Sequence, residues 1–116
     1  MKLLRLGQKG KEKPAVLDNG GKIRDISSHV EDLNPHYLNF ETISKLQGTD
    51  LSTLPELPST ERIGSCITKP GKFVAIGLNF SDHAKESNLP VPTEPITFMK
   101  ATSSINGPND DIELVS

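Results

Sequence analysis

Tryptophan is missing from this chain, and one tyrosine and four phenylalanines are all the aromatic residues it has. Little large aromatic surface is therefore available to fill a core. Cysteine is nearly as scarce, since Cys66 stands alone. No intrachain disulfide can form, which fits a reducing compartment and makes the cytoplasm the expected location. A nucleophilic role for Cys66 would need a neighbouring base and a depressed pKa. Flanked by Gly64, Ser65 and Ile67, it reads instead as a buried, inert thiol. No apolar run approaches the length that crosses a bilayer, and the N-terminus has no signal-peptide core, so no membrane partner is expected. A basic excess is lacking too. With 13 Lys and Arg against 15 Asp and Glu, the formal charge is −2. Phosphate neutralisation needs a basic excess or a basic face, so nucleic acid is not the expected partner.

What is there allows a modest core. Leu, Ile, Val and Phe make up roughly 27% of the 116 residues, above the level of disordered chains. The length fits one domain, or a small domain plus part of another. Three short antiparallel strands are expected at about Lys2–Leu6, Pro14–Leu17 and Lys22–Asp25, in a sheet with one wet face. Lys9-Gly-Lys11-Glu-Lys13 reads as a solvated hairpin turn, and Asn19-Gly20 as a second one, since both of its positions tolerate positive φ. Ser27 and Ser28 before "HVEDL", and Asn39 before "FETISKLQG", resemble helix starts. In the second, Phe40, Ile43 and Leu46 are expected on one face, with Gly48 as the stop.

Prolines at 55, 58 and 70 rule out a continuous helix and mark an extended connector, with a strand near Arg62–Ile67. A domain boundary is expected there, giving a small β-rich domain over 1–60 and a second domain from 61 to 116. "KFVAIGL" reads as a strand buried on both faces. "ITFMKA" reads as another strand, and "SSINGPNDDIELVS" as a turn ending in a further candidate strand.

The stretch "IGLNFSDHAKE" carries the chemistry. A strand ending at Leu78 delivers Asn79 to a sheet edge, and Ser81 or Asp82 can cap a short helix after it. His83 and Glu86 then lie one turn apart on one face. A carboxylate beside an imidazole fixes its tautomer and stabilises the imidazolium, the minimum apparatus of a general base. The plain alternative is two solvated side chains on a surface helix. His29 and His36 fit no such pattern and are expected to be exposed.

A longer stretch resembles a known family. The Pro70-Gly71-Lys72 entry, the Gly-x-Asn-aromatic-x-x-His-x-x-Glu core from Gly77 to Glu86, the proline-rich loop, Phe98-Met99-Lys100 and Asn106-Gly107-Pro108 together resemble the fumarylacetoacetate hydrolase superfamily. The likeness is strongest to its bacterial branch of ureidoglycolate lyases and 2-hydroxyhepta-2,4-diene-1,7-dioate isomerases. The N-terminal stretch through Ser27 is similar to that branch's small first domain. Phe80 stands where many members carry Tyr. The resemblance implies an α+β, mostly β fold: a small antiparallel sheet with short helices, then the opening strands of a mixed β-roll.

It also implies a metal-dependent hydrolase, lyase, isomerase or decarboxylase acting on 2-oxo or β-diketo acids, and a homodimer in the complete protein. His83 and Glu86 would be its acid/base dyad. Lys100 would face the substrate's carboxylate or developing enolate, and Asn79 would shape the loop or bind oxygen. For Lys100 and Asn79 the plain alternatives are a surface lysine at a strand end and a turn residue. The family's divalent cation, Mg²⁺ or another, is held by carboxylates downstream of the Asn-Gly-Pro turn. The matching region would begin past Ser116, so the chain is expected to stop short of them and to be inactive alone. Asp110, Asp111 and Glu113 read as solvated turn and strand residues, not as the metal ligands. The competing reading is a non-catalytic β-rich interaction module, or an inactive fragment, keeping a vestigial site.

Overall fold

The computed structural model describes residues 1–114. The chain divides into two compact units, Met1–Pro70 with the segment from Ile105, and Gly71–Ser104.

The first unit is built on a four-stranded antiparallel sheet. Strands β1 (Lys2–Leu6), β2 (Lys13–Leu17), β3 (Ile23–Asp25) and β4 (Glu56–Leu57) pair in that order. Register pairs Leu4 with Ala15, Leu17 with Ile23, and Ile23 with Leu57. Side chains alternate across a strand, so these residues share one face with Leu6, and Leu6, Ala15 and Ile23 are buried there. The other face carries Leu3 and Val16, and a larger cluster of Ile26, Val30, Leu33 and Leu46 packs with them. The expected wet face is thus absent. The residues that cover it come from the irregular chain after β3 and from a helix, neither of which strand alternation can reveal.

The turn between β2 and β3 is longer than Asn19-Gly20 alone suggests. Asp18 N–H donates to Lys22 O at 2.9 Å, and Gly21 N–H to Asp18 O at 3.1 Å. The positive φ falls on Gly21, at 79°. This is a three-residue hairpin loop whose last position needs glycine. Asp18 Oδ1 fills its centre, accepting from Gly20 and Lys22 N–H at 2.8 and 2.9 Å.

No helix follows Ser27 and Ser28. Asp25 accepts from Ser27 N–H at 2.8 Å, and the chain makes a single turn in which Val30 N–H reaches Ile26 O. Helix α1 spans Phe40–Gln47. Asn39 caps it by accepting from Thr42 N–H at 2.9 Å, and Gly48 ends it. Leu46 is buried, but Phe40 is 88% exposed. Six residues at roughly 100° each place the two about 120° apart, so they cannot share a face.

Past β4 the connector forms no strand over Arg62–Ile67 and meets β1 at a single bridge pair among the described residues, Leu6 with Ile63. Gly64 N–H donates to Arg5 O at 2.8 Å and Thr68 N–H to Leu33 O at 2.9 Å. Cys66, in this irregular stretch, is exposed and not buried. His29 and His36 are exposed as expected.

The second unit is an antiparallel ribbon, β5 (Val74–Gly77) with β6 (Ile96–Met99), joined through α2 (Ser81–Glu86) and a proline-rich loop. The apolar residues of β5, expected to be buried on both faces, are half-exposed instead, as are those of β6. Two paired strands by themselves bury little of either face. Ile112–Leu114 form no strand, and the end of that candidate strand lies outside the described residues.

Candidate functional site

The motif occupies the end of β5. Leu78 has φ 47°, a left-handed conformation that turns the chain out of the strand. Asn79 follows, then Phe80, then α2. The helix is capped by neither Ser81 nor Asp82. Phe80 holds the cap position without a side-chain bond, and both polar residues sit inside the first turn. Ala84 is buried and fixes the inner side of α2, while His83 and Glu86 are exposed one turn apart.

An open cleft of about 400 Å³ is lined by Ile76–Asn79 and Val91–Pro95. Asn79 lines it, whereas His83, Glu86 and Lys100 do not. Lys100 is exposed just past β6, and its N–H donates to Phe73 O at 2.8 Å. Phe73 immediately precedes β5 and Gly77 ends it, roughly 13 Å apart at strand rise. The structure therefore groups Asn79, His83 and Glu86 at one end of the ribbon and leaves Lys100 at the other. Among the described residues, none of these four side chains makes a hydrogen bond or ion pair.

A second polar cluster lies in the first unit, and the sequence reading did not single it out. Arg5 is only 7% exposed. It donates to both Asp32 carboxylate oxygens at 2.7 and 3.0 Å, and to Ser65 O at 3.3 Å. Glu12 stands between two arginines, 3.4 Å from Arg5 and 2.9 Å from Arg62. Burial pushes the Glu12 carboxyl up, but the Arg62 hydrogen bond and the Arg5 charge outweigh it and leave the group below its ordinary value. Arg62 also grips Asp110 through two parallel contacts of 2.7 and 2.5 Å. That guanidinium draws the Asp110 carboxyl down to about 2. Asp110 in turn accepts from Gly107 N–H at 2.8 Å, closing the Asn-Gly-Pro turn. One signal was available: Arg5 falls on the same strand face as Leu3, where a core position calls for an apolar residue or a paired charge.

The divalent cation implied by the resemblance does not fit these residues. Asp110 is no solvated turn residue, since both its oxygens are held by Arg62. Asp111 is exposed, and Glu113 approaches Lys9 at 3.6 Å on the surface. Among the described residues no three His, Cys, Asp or Glu side chains gather as a metal ligand set. A hard cation needs several convergent oxygens, and here they do not converge.

The comparisons with known proteins agree with the motif. Residues 72–116 match the family model described as Fumarylacetoacetate (FAA) hydrolase C-terminal. A protein of Burkholderia ambifaria (strain MC40-6), named "Putative hydrolase", is 51% identical over 114 residues, covering 98% of this chain and 40% of its own length. A protein of Burkholderia orbicola (strain MC0-3) with the same designation matches to the same extent. The crystal structure of a "putative HpcE protein" from Mycobacterium smegmatis superimposes with a TM-score of 0.69 at 27% identity. The superposition covers 100% of this chain and 41% of that one. The chain thus spans about 40% of the length of the curated relatives it matches. Motif, family match over residues 72–116 and fold together make the chain similar to part of a fumarylacetoacetate hydrolase superfamily protein.

Proposed function

We propose that this chain supplies the acid/base residues of an enzyme that breaks or rearranges bonds in 2-oxo or β-diketo acids, by hydrolysis, lyase cleavage, isomerisation or decarboxylation. The stretch 61–116 would open its catalytic domain, with 1–60 as a small β-rich domain beside it. The single observation that supports the reading is the exposed turn of α2, which carries His83 and Glu86 one turn apart shortly after β5. His83 removes a proton from the substrate carbon or activates water, and Glu86 orients the ring and stabilises its charged form. Asn79, on the cleft wall, offers an amide to a substrate oxygen. Lys100 supplies a positive charge for a carboxylate or developing enolate. Its place at the far end of the ribbon means that the substrate must span the hairpin, or that the ribbon must bend, for Lys100 and His83 to meet one molecule. The cation implied by the resemblance has no ligand set among the described residues, so no step is assigned to it. We also propose a cytoplasmic, homodimeric complete enzyme. The lone cysteine, and the absence of any helix long and apolar enough to cross a membrane among the described residues, are in keeping with that location.

The test of substrate class uses a full-length chimera, in which this chain replaces the matched part of the Burkholderia ambifaria relative. Turnover of oxaloacetate or an acylpyruvate, with none of a simple carboxylic ester, is the expected outcome. Ester cleavage without action on either keto acid would contradict the reading.

A further inference from the structure

The chain holds two Asn-Gly pairs, Asn19-Gly20 and Asn106-Gly107. Asparagine is thermolabile. A following glycine, having no Cβ, leaves its own backbone nitrogen free to reach the asparagine side-chain carbon. In sequence the two pairs look alike, but the fold treats them differently. Asn106 Nδ2 donates to Asp111 O at 2.9 Å, which holds the amide in place. Its Oδ1 is buried and has no hydrogen-bond partner among the described residues. Negative charge developing on that oxygen during attack would be neither hydrated nor paired. Gly107 is buried as well, and its N–H donates at 2.8 Å to Asp110, the carboxylate that Arg62 grips. A Cβ placed on Gly107 would fall 2.6 Å from Ile63 O, so the backbone there has little room to rotate.

At Asn19 only one of these restraints has a counterpart, since Gly20 N–H donates to Asp18 Oδ1 at 2.8 Å. Asn19 and Gly20 are both exposed, on the rim of an open cleft, so water can solvate the charge that attack creates. An exposed three-residue loop opens at little cost, whereas freeing Gly107 N–H means undoing the contact of Asp110 with Arg62. We propose that Asn19 is a site of spontaneous deamidation, and that the fold shields Asn106 from the same reaction. Gly20 N gives up its proton to solvent and bonds to Asn19 Cγ. The Cγ–Nδ2 bond breaks, and the amide nitrogen takes up a proton and leaves as ammonia. The succinimide ring so formed adds one water and opens at either carbonyl, to aspartate or to isoaspartate. Either product brings a negative charge next to Asp18, which Arg24 already engages at 2.8 Å. Isoaspartate also puts an extra carbon into the main chain of a loop closed by Asp18 N–H on Lys22 O and by the Leu17–Ile23 pair. Loop length sets hairpin register, so the product hairpin is looser than the original.

The experiment incubates the purified chain at mildly alkaline pH, once in buffer and once in concentrated urea. After digestion, mass spectrometry follows the gain of about one mass unit in the peptide carrying Asn19 and in the one carrying Asn106. In buffer, Asn19 should convert about tenfold faster than Asn106 or more. In urea, where neither is held, the two rates should agree within about threefold. Gly20 lies outside the left-handed region, and a Cβ on it would meet only Asp18 Oδ1, at 3.3 Å. Gly20→Ala should therefore leave the circular dichroism unchanged while slowing conversion of Asn19 about tenfold, because the methyl group hinders the attacking nitrogen. Equal rates in buffer would overturn the proposal. So would a tenfold gap that persists in urea, because sequence neighbours and not the fold would then set it. A Gly20→Ala chain that converts at the unaltered rate would exclude ring closure and overturn it too.

Discussion

Arg62 holds together pieces of chain that are far apart in sequence, with Glu12 on one side and Asp110, 48 residues away, on the other. Because Asp110 titrates at about 2 when folded and at its ordinary 3.8 when not, its ionised form is preferred by the native state. The stabilisation is complete above about pH 4 and disappears as pH falls through about 2. Thermal midpoints measured from pH 5 down to 2 should fall steeply, and Asp110→Asn should flatten that fall; equal slopes would contradict the clamp. Arg5 lies deeper. Removing it leaves Asp32 and Glu12 short of a buried partner, and Arg5→Met is expected to cost about 3 kcal/mol or more in denaturant unfolding. This network was poorly legible in the sequence. The pairing of Arg62 with Asp110 depends on a return of the chain that no local pattern encodes. What was legible is the motif itself, because Gly77, Asn79, His83 and Glu86 fall within one short window and their spacing is local. That Asp110 is gripped by Arg62, and is not the solvated turn residue its surroundings suggest, is likewise a matter of convergence in space.

At the scale of elements, local chemistry was read well and burial badly. The strands β1 to β3 and the cap of α1 follow from alternation, turn residues and Asn39, all of which act within a few residues. Asn39→Ala should destabilise the first unit by about 1 kcal/mol, read from the denaturant midpoint, since it orphans Thr42 N–H. Ser27, Ser28, Ser81 and Asp82 could all cap in principle. The structure used Asp25 in one place and no side chain in the other, because capping depends on where the backbone enters the turn. Burial of β5 was inferred from composition, which reports what a strand would bury given a partner and not whether the partner is there. The four-stranded sheet has cores on both faces, whereas the ribbon has none. Native-state hydrogen exchange should therefore show Val16 and Leu4 amides protected orders of magnitude longer than those of Ala75 and Phe98. Uniform protection of both units would contradict this description of the ribbon.

For the whole molecule, the first unit has its own core, while the unit from Gly71 to Ser104 carries the residues proposed to act on substrate, on a two-stranded scaffold. A base must be held to within a fraction of an ångström to act, and a bare ribbon with a six-residue helix does not hold it so. That division explains how the family is legible in the sequence while a complete site is not found among the described residues. The central claim is that His83 is the acid/base group of the enzyme to which this chain contributes. Its most direct test is kcat of the full-length chimera with and without His83→Ala, on oxaloacetate or an acylpyruvate. The claim predicts a fall of about 10²- to 10⁴-fold, the usual loss when a positioned base is removed. An unchanged kcat would contradict it and leave His83 and Glu86 as two solvated residues of a surface helix.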